Sequence, residues 1–407
     1  MKKIAFLIFI VLFLYLNFFL IRQRFFNDQS HFFNDFPSYY TGTFLFWHNE
    51  NPYDLKGAFD QKAKTFNLNF VYGAGYTYPP LITFLFYPLL SFPILQAARI
   101  FAGINMFLYV LFAGLIFKNF KSKSFLKLLV LAVFLSTYSP AVDSANHGHV
   151  NILVLFCLYF YLKFYRREKL SSLFLMLASF IKVYPVILFF KELAQKKFKF
   201  LRFGILWGLL VCLILSLTKG FNLIFYYFFK VLPGLNNSLD AYQTNQSLNG
   251  FISRILLKPD RTFLISQGTY NPIIVGLTLG IIIYLAYRTI KWQGENQTLL
   301  LIWLGTAIIL AGRNSFSNFT PAVLIGIYLI KNFNCLSKSW KTLSSLSLLL
   351  SNFFWRYVWQ FNQTYVLQDE FISKLIFVTV ASIGFFSLTI QILTLMTLEK
   401  KLSLSDV

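Results

Sequence analysis

Asp35 is the acidic residue whose position best suits proton transfer. It is the only acid between Ser30 and Asn49, and it follows closely after the apolar segment Ile4–Ile21, which is long enough to anchor the chain in a membrane. A carboxylate held at a bilayer surface beside aromatic side chains can act as a general base that takes a proton from a hydroxyl group. Two other roles stay open for it: an ion pair with Arg22 or Arg24, and a cap on the helix that follows.

Three further acids, Asp54, Asp60 and Asp143, compete with Asp35 for a catalytic role. Acids in polar loops are usually solvated, and nothing in the spacing of these three favours catalysis. Asp35 is therefore the leading candidate among the acids, with the ion-pair and helix-cap roles still open.

Two histidines, His147 and His149, are spaced like a pair on an extended segment. We predict that they contact a polar substrate, because a metal site needs more ligands than the sequence reveals beside them. Acidic residues are scarce, 15 among 407, so a dense carboxylate metal cluster is not expected. The sequence predicts no cofactor and gives no indication of a divalent cation.

The composition indicates an integral membrane protein. Of the residues, 57% are hydrophobic and only 13% are charged, which is about half the charged fraction of a soluble domain. The net charge of +22 could point to nucleic acid, but the lysines and arginines lie in short loops between apolar runs, as the positive-inside rule expects. We therefore predict no nucleic-acid partner. The three cysteines fall within or beside predicted spans, so they do not form a disulfide framework.

Loop charge and span length predict an all-α polytopic bundle of roughly 10–12 membrane-embedded helices, forming a single domain over residues 1–407. The amino-terminal apolar segment is interpreted as an uncleaved first helix, since Arg22-Gln23-Arg24 replaces a cleavage site. Both chain termini are predicted on the cytoplasmic side. Two large loops, 22–95 with juxtamembrane helices and 218–271, then lie on the outer face, together with all four histidines.

A lysine is predicted to interrupt one span. The segment Ser171–Phe190 has basic clusters at both ends, which one crossing helix cannot place on the same side. Two half-helices that meet at Lys182-Val183-Tyr184-Pro185 would leave both clusters on one side of the membrane, because Pro185 ends the backbone hydrogen-bond ladder. An ammonium at such a depth is expected to face a cavity or an anion, or to reach towards the interface.

Several motifs along the chain resemble glycosyltransferase family 87. The motifs are Asn34-Asp35, Asn51-Pro52-Tyr53, Tyr76-Thr77-Tyr78-Pro79-Pro80-Leu81, Gly148-His149-Val150-Asn151, Lys182-Val183-Tyr184-Pro185, and Asn245-Gln246-Ser247-Leu248-Asn249-Gly250 with Arg254 beyond. The resemblance touches most of the chain in order. It implies a GT-C type fold and a mannosyltransferase that uses a polyprenyl-phosphate mannose donor.

The resemblance also implies roles for individual residues. The family's acid in the first outer loop falls on Asp35, and Lys182 fits a contact to the donor phosphate. The predicted substrate-binding residues are Lys182, Tyr184, Tyr78, Arg99, His149, Asn151, Asn245, Gln246, Arg313 and Asn318. One motif departs from the family, because Ser315-Phe316-Ser317-Asn318-Phe319 stands where the family tends to show Ser-x-x-Trp-x-His-His. Arg313 or Asn318 is the candidate to replace the missing histidine's contacts.

The predicted function is an inverting glycosyltransferase of the plasma membrane with an extracytoplasmic active site. It moves a sugar, by the resemblance mannose, from a polyprenyl-phosphate donor to a hydroxyl of a lipid or glycan acceptor. No Gly-rich phosphate loop is present, so a nucleotide substrate is not expected. The alternatives are a transporter or flippase of a lipid-linked sugar, and an O-antigen polymerase or ligase.

Overall fold

The computed structural model describes residues 1–26, 35–54, 57–66, 76–219, 221–235, 239–242, 245–258, 262–312, 315–353 and 371–402. Within these ranges the protein is helical, and its only β-type pairing is an isolated antiparallel bridge between Leu257 and Phe263. The predicted all-α fold is confirmed.

Twenty α-helices follow one another along the described chain. In the first half they are α1 (Lys2–Phe26), α2 (Phe36–Trp47), α3 (Ala58–Thr65), α4 (Leu81–Phe86), α5 (Ile94–Asn119), α6 (Phe125–Thr137), α7 (Ser139–His147), α8 (Asn151–Lys163), α9 (Glu168–Ile181) and α10 (Leu188–Ala194). In the second half they are α11 (Phe198–Lys219), α12 (Phe221–Tyr226), α13 (Leu232–Leu235), α14 (Leu248–Leu256), α15 (Gln267–Ile290), α16 (Asn296–Leu310), α17 (Val323–Lys331), α18 (Lys338–Phe353), α19 (Phe371–Ala381) and α20 (Ile383–Leu402). Short 3₁₀ turns cover Tyr87–Ser91, Tyr184–Ile187, Phe316–Ala322 and Phe333–Cys335, and a π-helical turn covers Tyr227–Val231.

Four helical segments in the described ranges are long and apolar enough to cross a membrane: Ile94–Asn119, Phe125–Asn146, Phe198–Thr218 and Gln267–Ile290. The bent pair α19 and α20 is a fifth candidate, and four shorter apolar helices accompany them. Only 17% of the apolar window is buried in each of α11 and α15. Helices that are hydrophobic on every side yet little covered by protein face lipid, so these two lie at the periphery of the bundle.

The first helix is held by aromatic packing. Phe9 and Phe13 of α1 are buried against Tyr109 of α5, with ring centroids 6.4 Å and 5.7 Å away, respectively. The Tyr109 hydroxyl donates to the carbonyl oxygen of Leu135 in α6 at 2.7 Å, which satisfies a polar group deep in the bundle. Aromatic pairs at such distances add stabilisation beyond their buried area. The three helices therefore form one packed group.

The predicted break at Lys182 is confirmed. Helix α9 ends at Ile181, and Lys182 is extended, with φ −141° and ψ 137°. A 3₁₀ turn with Pro185 follows, and α10 begins only at Leu188. Proline lacks the backbone donor that would continue the helix, so the chain changes direction here and exposes the Lys182 side chain to the neighbouring elements.

The apolar segment that contains α19 and α20 is bent at Ser382, where the two helix axes differ by 60°. The break is satisfied from a distant loop: Gln246 Nε2 donates to the Ala381 carbonyl oxygen at 2.7 Å, and Gly384 N donates to Gln246 Oε1 at 3.0 Å. The backbone C=O and N–H groups that lose their helical partners at the bend are therefore hydrogen-bonded within the protein, as an apolar environment requires.

Candidate active site

Asp35 lies immediately before α2, in a position fixed by backbone contacts. Its N–H donates to the carbonyl oxygen of His147 at 3.2 Å, and the buried residues Phe36 and Tyr39 anchor the first turn of α2. The Asp35 side chain makes no capping hydrogen bond to α2, although it stands at the cap position. Asp35 therefore does not cap α2 through its side chain.

The Asp35 carboxylate is instead bound by His149. Asp35 Oδ2 lies 2.9 Å from His149 Nε2, and the two side chains are 31% and 6% exposed, respectively. Asn105 Nδ2 in α5 donates to the His149 carbonyl oxygen at 3.0 Å, which fixes the backbone that carries the imidazole. One carboxylate oxygen is thus held by a buried donor, while the carboxyl group remains partly accessible. This is the arrangement expected of an oriented base.

A second acid–histidine pair lies beside the first. Asp143 Oδ1 is 3.0 Å from His147 Nδ1, four residues apart on α7. From the sequence, Asp143 was expected to be a solvated loop acid with no link to His147. The i, i+4 spacing was the signal that could have found the pair, since residues so spaced are neighbours on a helix.

Glycine makes the turn that brings the two pairs together. Gly148 caps α7 in the left-handed region, with φ +69° and ψ 36°, and a Cβ there would stand 2.7 Å from Phe36 Cβ. No other residue type combines this backbone angle with the absent side chain at low cost. Gly148 therefore sets the distance between α2, which carries Asp35, and the chain that carries His149.

Lys182 faces the same region from the break after α9. Its Nζ donates to Asn318 Oδ1 and lies 5.5 Å from the centroid of the Tyr78 ring. The lysine is half-buried, and its positive charge contributes to lowering the pKa of Asp35. The structure thus brings together four of the predicted site residues that are far apart in sequence: Asp35, Tyr78, Lys182 and Asn318.

Electrostatics keep Asp35 ionised. Burial alone would raise the pKa of the Asp35 carboxyl, but the charge and hydrogen bond of His149, followed by the charges of His147 and Lys182, outweigh it. The pKa of Asp35 therefore lies below its ordinary value. The carboxylate is charged at neutral pH and can accept a proton.

Tyrosine rings and buried polar atoms occur on the chain segments that carry this group. The Tyr39 and Tyr78 rings lie 4.3 Å apart, and Tyr53 donates its hydroxyl to the Tyr78 carbonyl oxygen at 2.9 Å. Both amide atoms of Asn151 and the hydroxyl of Tyr184 are buried and meet no hydrogen-bond partner among the described residues. Buried polar groups normally have a partner, so these atoms are suited to contact water or a polar substrate.

The family model of glycosyltransferase family 87 matches residues 76–312. The chain belongs to glycosyltransferase family 87. No curated protein matches it. The matched region includes Tyr78, His149 and Lys182 but begins after Asp35 and ends before Asn318. The chain is therefore a membrane glycosyltransferase by family, while the roles of its individual residues are argued from the geometry.

The remaining predicted site residues of this family 87 protein are Arg99, Asn245, Gln246 and Arg313. Asn245 and Gln246 are buried in a loop whose described contacts run to the bend at Ser382 and to Arg254. Arg99 lies half-buried in the second turn of α5. Arg313 lies outside the described residues. Substrate contact by these four residues stays a prediction.

Arg254 has a structural position that the sequence analysis did not assign. The side chain is fully buried, and Nη1 donates to the carbonyl oxygens of Tyr242 and Asn245 at 3.1 and 2.9 Å. Its Nε donates to Ser382 Oγ at 3.0 Å. The guanidinium thereby ties the loop before α14 to the bend between α19 and α20.

The Gly148→Ala variant is expected to be less stable and less active than the wild-type protein. The added methyl group meets Phe36, and a left-handed backbone costs a non-glycine residue roughly 1–2 kcal/mol. Thermal unfolding in detergent should show a lower midpoint, and transfer activity should fall because the Asp35–His149 contact is displaced. Gly276→Ala in α15 is the matched control, since a Cβ there meets nothing within 4 Å. Equal midpoints for the two variants would contradict the role of the turn.

Proposed function

We propose that this protein transfers a sugar from a polyprenyl-phosphate donor, with mannose as the sugar, to a hydroxyl group of a lipid or glycan acceptor. The proposal places the reaction on the extracytoplasmic side of the plasma membrane, with both chain termini in the cytoplasm. In this arrangement the loops at 22–95 and 218–271 are the outer loops of a single GT-C type domain. Membership of family 87 and the grouping of Asp35, His149 and Lys182 support it.

The observation that carries the proposal is the Asp35 carboxylate, which lies 2.9 Å from Nε2 of the buried His149 and whose pKa is lowered in part by the charge of Lys182. A base and a cation in one polar site are what displacement of a phosphate from a sugar requires. The base activates the attacking hydroxyl, and the cation stabilises the charge that develops on the leaving phosphate.

The reaction balances as a single displacement. The acceptor oxygen forms a bond to the anomeric carbon while the bond from that carbon to the phosphate oxygen breaks. The acceptor proton passes to the Asp35 carboxylate, and the bonding electron pair leaves with the polyprenyl phosphate. Attack opposite the leaving group inverts the anomeric configuration. Lys182 supplies a positive charge near the departing phosphate, and no nucleotide is needed because the donor is already activated.

The proposal is tested with membranes that contain the protein and radiolabelled polyprenyl-phosphate mannose. A labelled glycoside, identified by mass spectrometry and inverted at the anomeric carbon, is the expected product. Labelled donor that crosses the bilayer without forming a glycoside would identify a transporter or flippase. Assembly of preformed repeat units, in place of single-sugar transfer, would identify a polymerase or ligase. Either of these two results would overturn the proposal.

A further inference from the structure

A polar cavity of about 480 Å³ lies beside the turn that joins α10 to α11. Its lining includes Lys196 and Lys197 of this turn, Ile290 at the end of α15, and Asn296 at the start of α16. The candidate span of α11 begins at Phe198, directly after Lys197, and the candidate span of α15 ends at Ile290. The cavity therefore lies where two apolar helices leave the membrane, which is the level of the lipid head groups.

The surface next to the cavity is apolar and faces lipid. Helices α11 and α15 both pack on α10, and only 17% of the apolar window is buried in each of them. Phe198 and Ile290 are 65% and 68% exposed, respectively. A ligand with an anionic head and apolar tails would place its head in the cavity and its tails along these two helices. A free anion would make no use of the apolar surface.

Lysines outnumber carboxylates beside the cavity. Lys191 Nζ lies 3.0 Å from Glu192 Oε1, and Lys197 Nζ lies 3.3 Å from Glu192 Oε2, so one buried carboxylate serves two lysines. Lys196 has no carboxylate partner among the described residues, and its side chain is exposed. The cavity therefore carries positive charge that the protein itself does not neutralise.

Two amide side chains join the turn to α16. Gln195 Nε2 donates to Asn296 Oδ1 at 2.9 Å. Asn296 accepts this bond through its oxygen and keeps its NH₂ group as a donor. Glu295, the acid that precedes Asn296, accepts from the Tyr328 hydroxyl at 2.6 Å, so one of its oxygens is already hydrogen-bonded. Two ammonium groups and an amide donor are a set that suits the oxygens of a phosphate.

Lys196 occupies a backbone position that favours glycine. Its φ is +55°, in the left-handed region. The N–H groups of Lys196 and Lys197 donate to the carbonyl oxygens of Leu193 and Glu192 at 2.9 and 3.0 Å, which is the Schellman pattern at the end of α10. Glycine is the usual residue here, because a Cβ disfavours this backbone angle. Lysine costs backbone energy that glycine would not, and it places an ammonium group at the cavity.

We propose that this cavity binds the phosphate head group of an anionic phospholipid through Lys196, Lys197 and Asn296, with the acyl chains along α11 and α15. Basic pockets between membrane helices are suited to such head groups. On the membrane orientation proposed above, the site lies in the cytoplasmic leaflet, on the side opposite to the transfer reaction. The site goes beyond sugar transfer and needs no sugar substrate.

Lipid binding to the full-length protein in detergent tests the inference. Native mass spectrometry should show saturable binding of phosphatidylglycerol, and the bound lipid should raise the midpoint of thermal unfolding. Phosphatidylcholine with the same acyl chains has a zwitterionic head and should bind much more weakly. Inorganic phosphate at the same concentration should neither compete with phosphatidylglycerol nor raise the midpoint, since it lacks the acyl chains.

Lys196→Gly is the decisive variant, because glycine suits the left-handed backbone of this position. Without lipid it should be at least as stable as the wild type, so misfolding does not confuse the result. It should nevertheless bind phosphatidylglycerol about five-fold more weakly, the effect of one basic residue near an anionic lipid. Lys196→Arg should keep the affinity, since it keeps the positive charge.

Lys123→Gly is the matched control. Lys123 is exposed in the loop between α5 and α6 and does not line the cavity, so this variant loses the same charge elsewhere. If Lys196→Gly bound phosphatidylglycerol as tightly as Lys123→Gly, the site would be overturned. Equal binding of the two phospholipids, or displacement of the lipid by inorganic phosphate, would overturn it as well. None of these measurements depends on sugar transfer, so the inference and the proposed function can fail separately.

Discussion

Asp35→Asn is expected to lower the rate of sugar transfer by roughly 10²–10⁴-fold, the usual contribution of a positioned general base. The asparagine side chain keeps the size of the aspartate and can accept from His149, but it cannot take the acceptor proton. Folding should be unaffected, since the Asp35 side chain caps no helix and its backbone contact to His147 remains. Single-turnover transfer from radiolabelled donor measures the effect.

The control for this loss is Asp60→Asn. Asp60 lies in the first turn of α3, and it forms an exposed ion pair with Lys64 at 2.7 Å. Exposed pairs contribute little, so that variant should transfer sugar at the wild-type rate. If Asp35→Asn turned over as fast as Asp60→Asn, Asp35 would not be the base.

Lys182→Met is expected to lower the rate of the chemical step by about 10²–10³-fold, in line with the loss of one group that stabilises developing charge. Methionine preserves the apolar part of the chain but removes the ammonium that lies near Asp35 and Tyr78. Lys182→Arg should recover part of the rate, because it restores a cation. The measurement is again single-turnover transfer at saturating donor.

A purely structural role for Lys182 would give a different pattern of transfer rates. If the lysine served only to hold Asn318, then Asn318→Ala would slow transfer as much as Lys182→Met. We expect Asn318→Ala to lose much less transfer activity, since it leaves the positive charge of Lys182 in place. Lys64→Met is the control for removing a distant exposed lysine. Comparable losses in Asn318→Ala and Lys182→Met would argue against a role in leaving-group stabilisation.

Local signals explain what the sequence could predict. Long apolar runs predicted the four long apolar helices of the described ranges, and Pro185 predicted the break at Lys182, because both effects act within a few residues. Asp35 stood out by its position after the first helix. These features need no knowledge of which helices are neighbours.

Long-range contacts explain what the sequence could not predict. The bend at Ser382 depends on Gln246 and Arg254, which are more than a hundred residues earlier in the chain. The contact between Lys182 and Asn318 likewise joins elements 136 residues apart. Such pairs follow from the packing of the bundle, and no periodicity in a single sequence encodes them. The Asp143–His147 pair was different. Its four-residue spacing was visible in the sequence, but the segment was interpreted as a loop and not as a helix.

The buried Arg254 makes the carboxy-terminal helices part of the same cooperative unit as the region that matches family 87. A protein shortened to residue 312 would lose Ser382 and Ala381, leaving the Arg254 guanidinium and the Gln246 amide without these acceptors. Leaving a buried hydrogen-bonding group without its partner typically costs about 1–3 kcal/mol, and more for a charged group, against a total stability of about 5–15 kcal/mol. The segment that matches the family is therefore expected to be less stable alone than in the whole chain, which thermal unfolding of the two proteins in detergent would measure.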